Sequence, residues 1–198
     1  MPEGRQTSLW VVDQWAGSTK MSHYLTESGE QPTFGSRGAA LGPNYGDLML
    51  TAGQKAPSIT LLDQDGTKVA LSAFAGRRVL VYFYPKADTP GCTQQSCGLR
   101  DIAKKIGDVA IVGISPDAVA KQKKFADKYD LPFPLLADTE HVVAERYGVW
   151  KEKSMYGRKY MGIERSAFLI DEKGKLQEVW YKISPKDTPA NLLKAIKK

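Results

Sequence analysis

Val79-Leu80-Val81-Tyr82-Phe83-Tyr84-Pro85-Lys86-Ala87-Asp88-Thr89-Pro90-Gly91-Cys92-Thr93-Gln94-Gln95-Ser96-Cys97 holds both cysteines of a 198-residue chain, and its reading decides the fold. The β-branched and aromatic run from Val79 to Tyr84 predicts a buried strand, which Pro85 and then Pro90-Gly91 end in a tight loop. From Thr93 to Lys105 the apolar residues Leu99, Ile102, Ala103 and Ile106 recur at three- and four-residue spacing, which predicts a helix. A thiol therefore sits at a strand-to-helix turn.

Working outward, Val109-Ala110-Ile111-Val112-Gly113-Ile114-Ser115 is a second run of the fully buried kind, so strand, helix and strand form a βαβ unit with parallel neighbours. Upstream, Ile59–Leu62 and Lys68–Leu71 flank the turn signal Asp63-Gln64-Asp65-Gly66 and predict a short hairpin; Ser72–Gly76 predicts a helical turn. Downstream, Asp117 is placed to cap a helix over 118–129, with Val119, Phe125, Ala126 and Tyr129 inward and Lys121, Lys123, Lys124 and Lys128 in water. Phe133–Ala137 reads as extended, and Thr139 as the cap of a helix ending at Tyr147-Gly148. A loop carries Tyr156-Gly157-Arg158. Arg165–Ile170 and Leu176–Tyr181 predict a hairpin around Asp171–Gly174, and Pro189–Lys197 a last helix. The order predicts an α/β fold, a three-layer sandwich on a central mixed sheet.

Residues 1–48 are polar and Gly/Ser/Thr-rich, without sustained periodicity, and cannot bury enough apolar surface to offset ordering. The expected division is an unordered 1–48 (a leader, a cloning remnant or an upstream start, since Met49 is a natural beginning) and a folded domain over 49–198. No apolar run reaches the roughly 18 residues of a membrane span, and Leu9-Trp10-Val11-Val12 is too short for a signal-peptide core. Two cysteines without sign of export point to a reducing, cytoplasmic setting and to reactive thiols. The formal charge of +6 is concentrated in 49–198, which carries 25 basic and 17 acidic side chains, yet no basic block is denser than Lys121–Lys124 and none is interleaved with aromatics. That argues against nucleic acid as a partner. His23, in the leader, and His141, expected in a solvated first turn, make no zinc set with the cysteines, and no phosphate-binding glycine loop is present, so neither metal nor cofactor is expected. Trp150, Tyr156 and Tyr160 either frame a site or pack locally.

A helix start offers unpaired N–H groups and a positive dipole end, both of which favour the thiolate, the nucleophilic form of cysteine. Thr89 is three residues before Cys92, where its hydroxyl can donate to the sulfur or a bound oxygen; Pro85 and Pro90 stiffen the loop. Arg165 is the candidate for a permanent cation that would hold a thiolate and an anionic leaving oxygen. Five helical steps from Cys92 to Cys97 correspond to about 500° of rotation and about 7.5 Å of rise, hence Cα atoms roughly 8–9 Å apart. A disulfide needs less than about 7 Å. Bonding of the pair therefore requires the first turns to unwind, a nucleophile with a distant resolver rather than a preset Cys-x-x-Cys pair. Such a thiolate fits attack on a peroxide O–O bond to give a sulfenic acid that a second thiol converts to a disulfide. A thiol-disulfide oxidoreductase and a redox-switched binding or holdase protein are the alternative readings.

The combination Pro85-x-x-x-Thr89-x-x-Cys92, Thr89-Pro90-Gly91-Cys92-Thr93, Cys97 after four intervening residues, and Arg165-Ser166-x-Phe168 resembles the PrxQ/Bcp peroxiredoxins, the bacterioferritin comigratory protein family. The resemblance covers about Met49 to Lys198. It implies a thioredoxin-like fold and thiol-dependent reduction of hydrogen peroxide and organic hydroperoxides, with thioredoxin or a similar dithiol as regenerating partner. It further implies that Cys92 is the peroxidatic and Cys97 the resolving cysteine, that Thr89 and Arg165 are the activating pair, and that Pro85 shields the site. The chain departs from the pattern at Gln95, where many members carry a glutamate. A bridge within one chain needs no second copy, so a monomer is expected.

Overall fold

The computed structural model describes residues 49–155 and 157–197; the expected unordered segment 1–48 lies outside the described residues. The chain opens with the predicted hairpin, β1 (Thr60–Leu62) and β2 (Lys68–Ala70), antiparallel around the Asp63 turn, whose carboxylate accepts the Asp65 and Thr67 amides. A 3-10 turn over Leu71–Phe74 and Gly76 at φ +81° lead into β3 (Val79–Phe83), buried at all five positions as a central strand must be. Then follow α1 (Pro90–Ile102), β4 (Ala110–Ser115), α2 (Val119–Lys128), β5 (Leu135–Ala137), α3 (Val142–Arg146), β6 (Trp150–Met155), β7 (Arg158–Ile163), β8 (Ser166–Ile170), β9 (Leu176–Trp180) and α4 (Asp187–Ala195).

Seven strands form one mixed sheet in the order β2-β1-β5-β4-β3-β8-β9. β3 runs parallel to β4, and β4 to β5, as the βαβ reading requires, while β8 is antiparallel to β3. Each face is covered. Leu80, Tyr82, Tyr84 and Leu169 pack with Leu99 of α1, Phe125 of α2 and Leu192 of α4. Val81, Phe83, Ile114 and Phe168 pack on the other side with Val143 of α3 and Tyr147. Phe83 meets Phe168 edge-on at 5.8 Å and Tyr147 at 5.1 Å between ring centres. Truncating one such buried aromatic to alanine costs about 3–5 kcal/mol.

Four local expectations are corrected. α1 begins at Pro90 rather than Thr93, because proline suits a first helical turn whose N–H is unpaired anyway; Cys92 is thus inside the helix. Asp117 does not cap α2, whose N-cap residue is Ala118. Its carboxylate is taken by the Ala87 amide at 2.6 Å, the Ser115 hydroxyl at 3.0 Å and the Lys121 ammonium. On α2 the inward face also includes Gln122, wholly buried, which accepts from the Tyr84 hydroxyl and donates to Ser115 Oγ and the Leu136 carbonyl. Thr139 does not cap α3 either: Asp138, 3 % exposed, accepts the Val143 and Ala144 amides at 3.2 and 2.7 Å.

His141, expected in a solvated helical turn, stands just before α3 in the left-handed region (φ +60°) and stacks on Trp150, ring centres 3.8 Å apart. The loop expected around Gly157 is the tip of the hairpin β6–β7, a separate two-stranded sheet. No helix of the described residues is long and apolar enough to cross a membrane.

Candidate active site

The sheet register assembles the site. Because β8 is antiparallel to β3, with Ser166 opposite Phe83, the residue preceding β8 lies beside the carboxyl end of β3, where the loop to α1 begins. That residue is Arg165. Its Nη2 donates to Cys92 Sγ at 3.2 Å, and its Nη1 donates to Gln95 Oε1, one turn further along α1. The sulfur is buried (0 % exposed) in the first turn of α1. The guanidinium and the positive end of the helix N-terminus both face the sulfur. Gly91 lies close beside this pair: a Cβ there would touch Arg165 Nη2 at 3.4 Å and be tight against Pro185 Cγ at 3.3 Å.

Gln95, also buried, is oriented by its neighbours. Its Nε2 donates to Thr188 Oγ1 at 2.9 Å, and Thr188 donates in turn to the Ser184 carbonyl. Since a guanidinium can only donate, the amide oxygen must face Arg165. The side chain is therefore a neutral strut between the α4 segment and the guanidinium. Ser96, next along, is buried against Tyr82 of β3, oxygen to oxygen 2.9 Å. Burial keeps the Tyr82 phenol protonated well beyond its usual range, with the Ser96 hydrogen bond opposing.

The loop itself is tied down from α2 and from the segment after β4. Asp117 holds the Ala87 amide; Asp88, left-handed at φ +60°, accepts from Lys128 Nζ at 2.9 Å and the Tyr129 hydroxyl at 2.7 Å. These bonds hold the Asp88 carboxyl below its usual range. Thr89 is the N-cap residue of α1, and its hydroxyl proton goes to the Lys86 carbonyl at 2.9 Å rather than to the sulfur. Pro85 is half-buried directly after Tyr84, whose amide makes the bond to Ile114 that closes the ladder.

Cys97 is a free thiol on the same unbroken helix. Burial pushes it up, with Arg100 opposing and Asp101 adding to the rise. A cavity of about 650 Å³ lined by Ile59, Phe74, Val79 and Ile170 contains none of these residues.

Sequence reading singled out Cys92, Cys97, Thr89, Pro85 and Arg165, and the fold brings Arg165 to Cys92. It missed Tyr82 and Ser96, Thr188 and Asp117. Of these only Asp117 carried a sequence signal, as an acidic residue just past a buried strand.

The AhpC/TSA family profile matches residues 52–179. The chain belongs to that family. It is 45 % identical over 152 residues to the peroxiredoxin Bcp of Bacillus subtilis, covering 76 % of this chain and 97 % of that one. It is 54 % identical over 134 residues to the peroxiredoxin Bcp of Escherichia coli, 66 % and 85 % of the two chains. In structure it resembles the Xanthomonas campestris bacterioferritin comigratory protein, whose alkyl peroxide reduction has been described, with TM-score 0.69, 32 % identity, and coverage of 74 % and 98 %. The Bcp/PrxQ type and the thioredoxin-like peroxiredoxin fold are those the sequence motifs implied.

Proposed function

We propose that Cys92 is the sulfur through which this peroxiredoxin carries out its thiol-dependent peroxidase reaction, and that Cys97 resolves the product. The observation that carries the reading is the Arg165 Nη2 to Cys92 Sγ hydrogen bond of 3.2 Å at the start of α1. The thiolate attacks one peroxide oxygen, the O–O bond breaks, and the electron pair leaves with the second oxygen, which takes a proton to become water or an alcohol. Arg165 supplies donors to the oxygens as charge develops. Thr89, its proton committed to Lys86, has only lone pairs to offer and accepts from the peroxide O–H. Pro85 shields the sulfur at the loop's other end.

Cys92 is then a sulfenic acid, and Cys97 condenses with it, releasing water and forming a disulfide. α1 is helical through both cysteines, so this step requires its first turns to unwind. The raised Cys97 thiol suits that order, since burial in the intact helix disfavours its thiolate. Thioredoxin or a similar dithiol returns both sulfurs to thiols. The cycle closes within one chain, which supports a monomer, and it needs a reducing compartment such as the cytoplasm.

Peroxide consumption coupled to thioredoxin tests the assignment. Cys92→Ser abolishes it, whereas Cys97→Ser permits one stoichiometric oxidation and loses thioredoxin-linked turnover. Sustained turnover by Cys92→Ser rejects the proposal. A thiol-disulfide oxidoreductase would require sulfurs already within bonding distance, and the intact helix gives that reading no support.

A further inference from the structure

The hairpin β6–β7 carries a cation to the strand that leads into Arg165. Its register sorts the side chains: Lys151, Lys153 and Tyr160 share one face, while Glu152, Lys159 and Met161 share the other, where Lys159 and Glu152 pair at 3.0 Å. On the first face the stem of Lys153 lies over Gly162, where a Cβ would be 3.7 Å from Lys153 Cδ and 3.4 Å from the Tyr160 ring. Its ammonium donates to the Ile163 carbonyl, two residues before Arg165. At about 3.3 Å per extended residue, this places Nζ within roughly 10 Å of the Arg165 backbone, from which the guanidinium reaches Cys92.

The side chain is half-buried and turned toward the site strand, not spread into solvent as Lys159 is. Burial pulls its ammonium below the ordinary lysine range; Glu164 and the Cys92 sulfur raise it, and Arg165 lowers it. The only carboxylate among those influences, Glu164, also faces Lys182 Nζ at 3.9 Å. Lys153 therefore brings positive charge to the thiol that the attack on hydrogen peroxide does not use. Tyr160 beside it, 45 % exposed, offers an apolar surface.

We propose that Lys153 is a specificity-determining residue that selects organic hydroperoxides bearing a carboxylate a few bonds from the O–O group, the peroxide toward Cys92 and Arg165 and the carboxylate toward the Lys153 ammonium. This rests on Cys92 being the reacting sulfur. A charge that acted only by stabilising the thiolate would scale all peroxides alike; a charge that meets the substrate's own anion changes the ratio between charged and neutral substrates.

The test compares a matched pair, γ-hydroperoxyisocaproate and its methyl ester, with hydrogen peroxide as reference, following oxidation of the thiol by stopped flow in full-length protein. At low salt the acid reacts about 5- to 10-fold faster than the ester, and the ratio shrinks as ionic strength rises. Lys153→Gln lowers the ratio at least threefold, and Lys153→Arg, which keeps the charge on the same hairpin, retains it. A wild-type ratio near one, or a ratio untouched by Lys153→Gln, overturns the proposal. So does an effect confined to recycling by thioredoxin, which would make the hairpin a reductant contact. Failure of the underlying reading is seen separately, as absence of Cys92 oxidation by hydrogen peroxide in the wild type.

Discussion

Replacing Ser96 by alanine tests how the α1 segment is held shut. The Ser96 hydroxyl and the Tyr82 phenol are both 0 % exposed and each is the other's partner at 2.9 Å. Removing the serine oxygen leaves a buried phenol O–H unpaired, at about 1–3 kcal/mol. Alanine returns about 0.5 kcal/mol through its better helix propensity, so the folded segment loses about 0.5–2.5 kcal/mol relative to the unwound one, in which Tyr82 is hydrated. A central value near 1.5 kcal/mol is about tenfold in the unwinding equilibrium. If resolution proceeds through the unwound segment, disulfide formation after a peroxide pulse accelerates about tenfold. The sulfinic fraction at Cys92 under excess peroxide falls in step. Rapid quenching with thiol alkylation and intact-mass analysis resolves sulfenic, disulfide and sulfinic forms on one time axis. Tyr82→Phe gives a smaller effect, since the orphaned serine can turn to the carbonyl four residues back, and the double variant falls short of the sum. A disulfide rate within twofold of wild type, in a Ser96→Ala protein that still melts cooperatively, would refute the reasoning.

Arg165→Lys keeps a charge but cannot serve Cys92 and Gln95 together as the guanidinium does; peroxide reaction of Cys92 slows about 10- to 100-fold by stopped flow, while disulfide formation from preformed sulfenic acid changes little. Gly113→Ala drives a Cβ to 2.7 Å from Tyr82 Oη and 2.8 Å from Leu135 Cδ2, and calorimetry shows a loss of about 1–3 kcal/mol, roughly 3–10 °C in melting temperature. The raised Cys97 thiol sets a pH dependence: once α1 unwinds, the group regains its ordinary acidity near 9.0, so its contribution to the folded segment is intact below that value and lost as pH climbs through the raised one. Resolution therefore speeds up from about pH 8 upward, measured by quench-flow; a flat profile contradicts the burial argument.

The fold's centre was legible because its strands are buried on both faces, and Val79–Tyr84 and Val109–Ser115 need no periodicity to declare that. β6–β7 was not, because Lys151–Ser154 and Arg158–Met161 are mostly polar and shared with solvent, and their pairing is local to the hairpin. Both predicted acidic and hydroxyl caps failed for one reason: Asp117 and Thr139 have capping chemistry, but Asp117 is claimed by Ala87 and Asp138 reaches the α3 amides first. Within the candidate site, the thiols and loop prolines announced themselves by spacing. The partners that hold them, Thr188 from 93 residues away and Tyr82 from across the helix, are contacts made only by folding, and no local pattern encodes them.

Arg165 stands at the head of a sheet strand, while Cys92, Gln95, Ser96 and Cys97 all ride on α1. The sheet is the mould and the helix the casting. In the proposed cycle the helix opens while the guanidinium stays where β3 and β8 fix it, an empty seat for the Cys92 sulfur. In that cycle, reduction of the disulfide restores the Cys92 thiol, and each turn ends with the segment drawn back to the same place. Mutations on β8 should then alter the chemistry and mutations on α1 its timing, two properties that can drift independently.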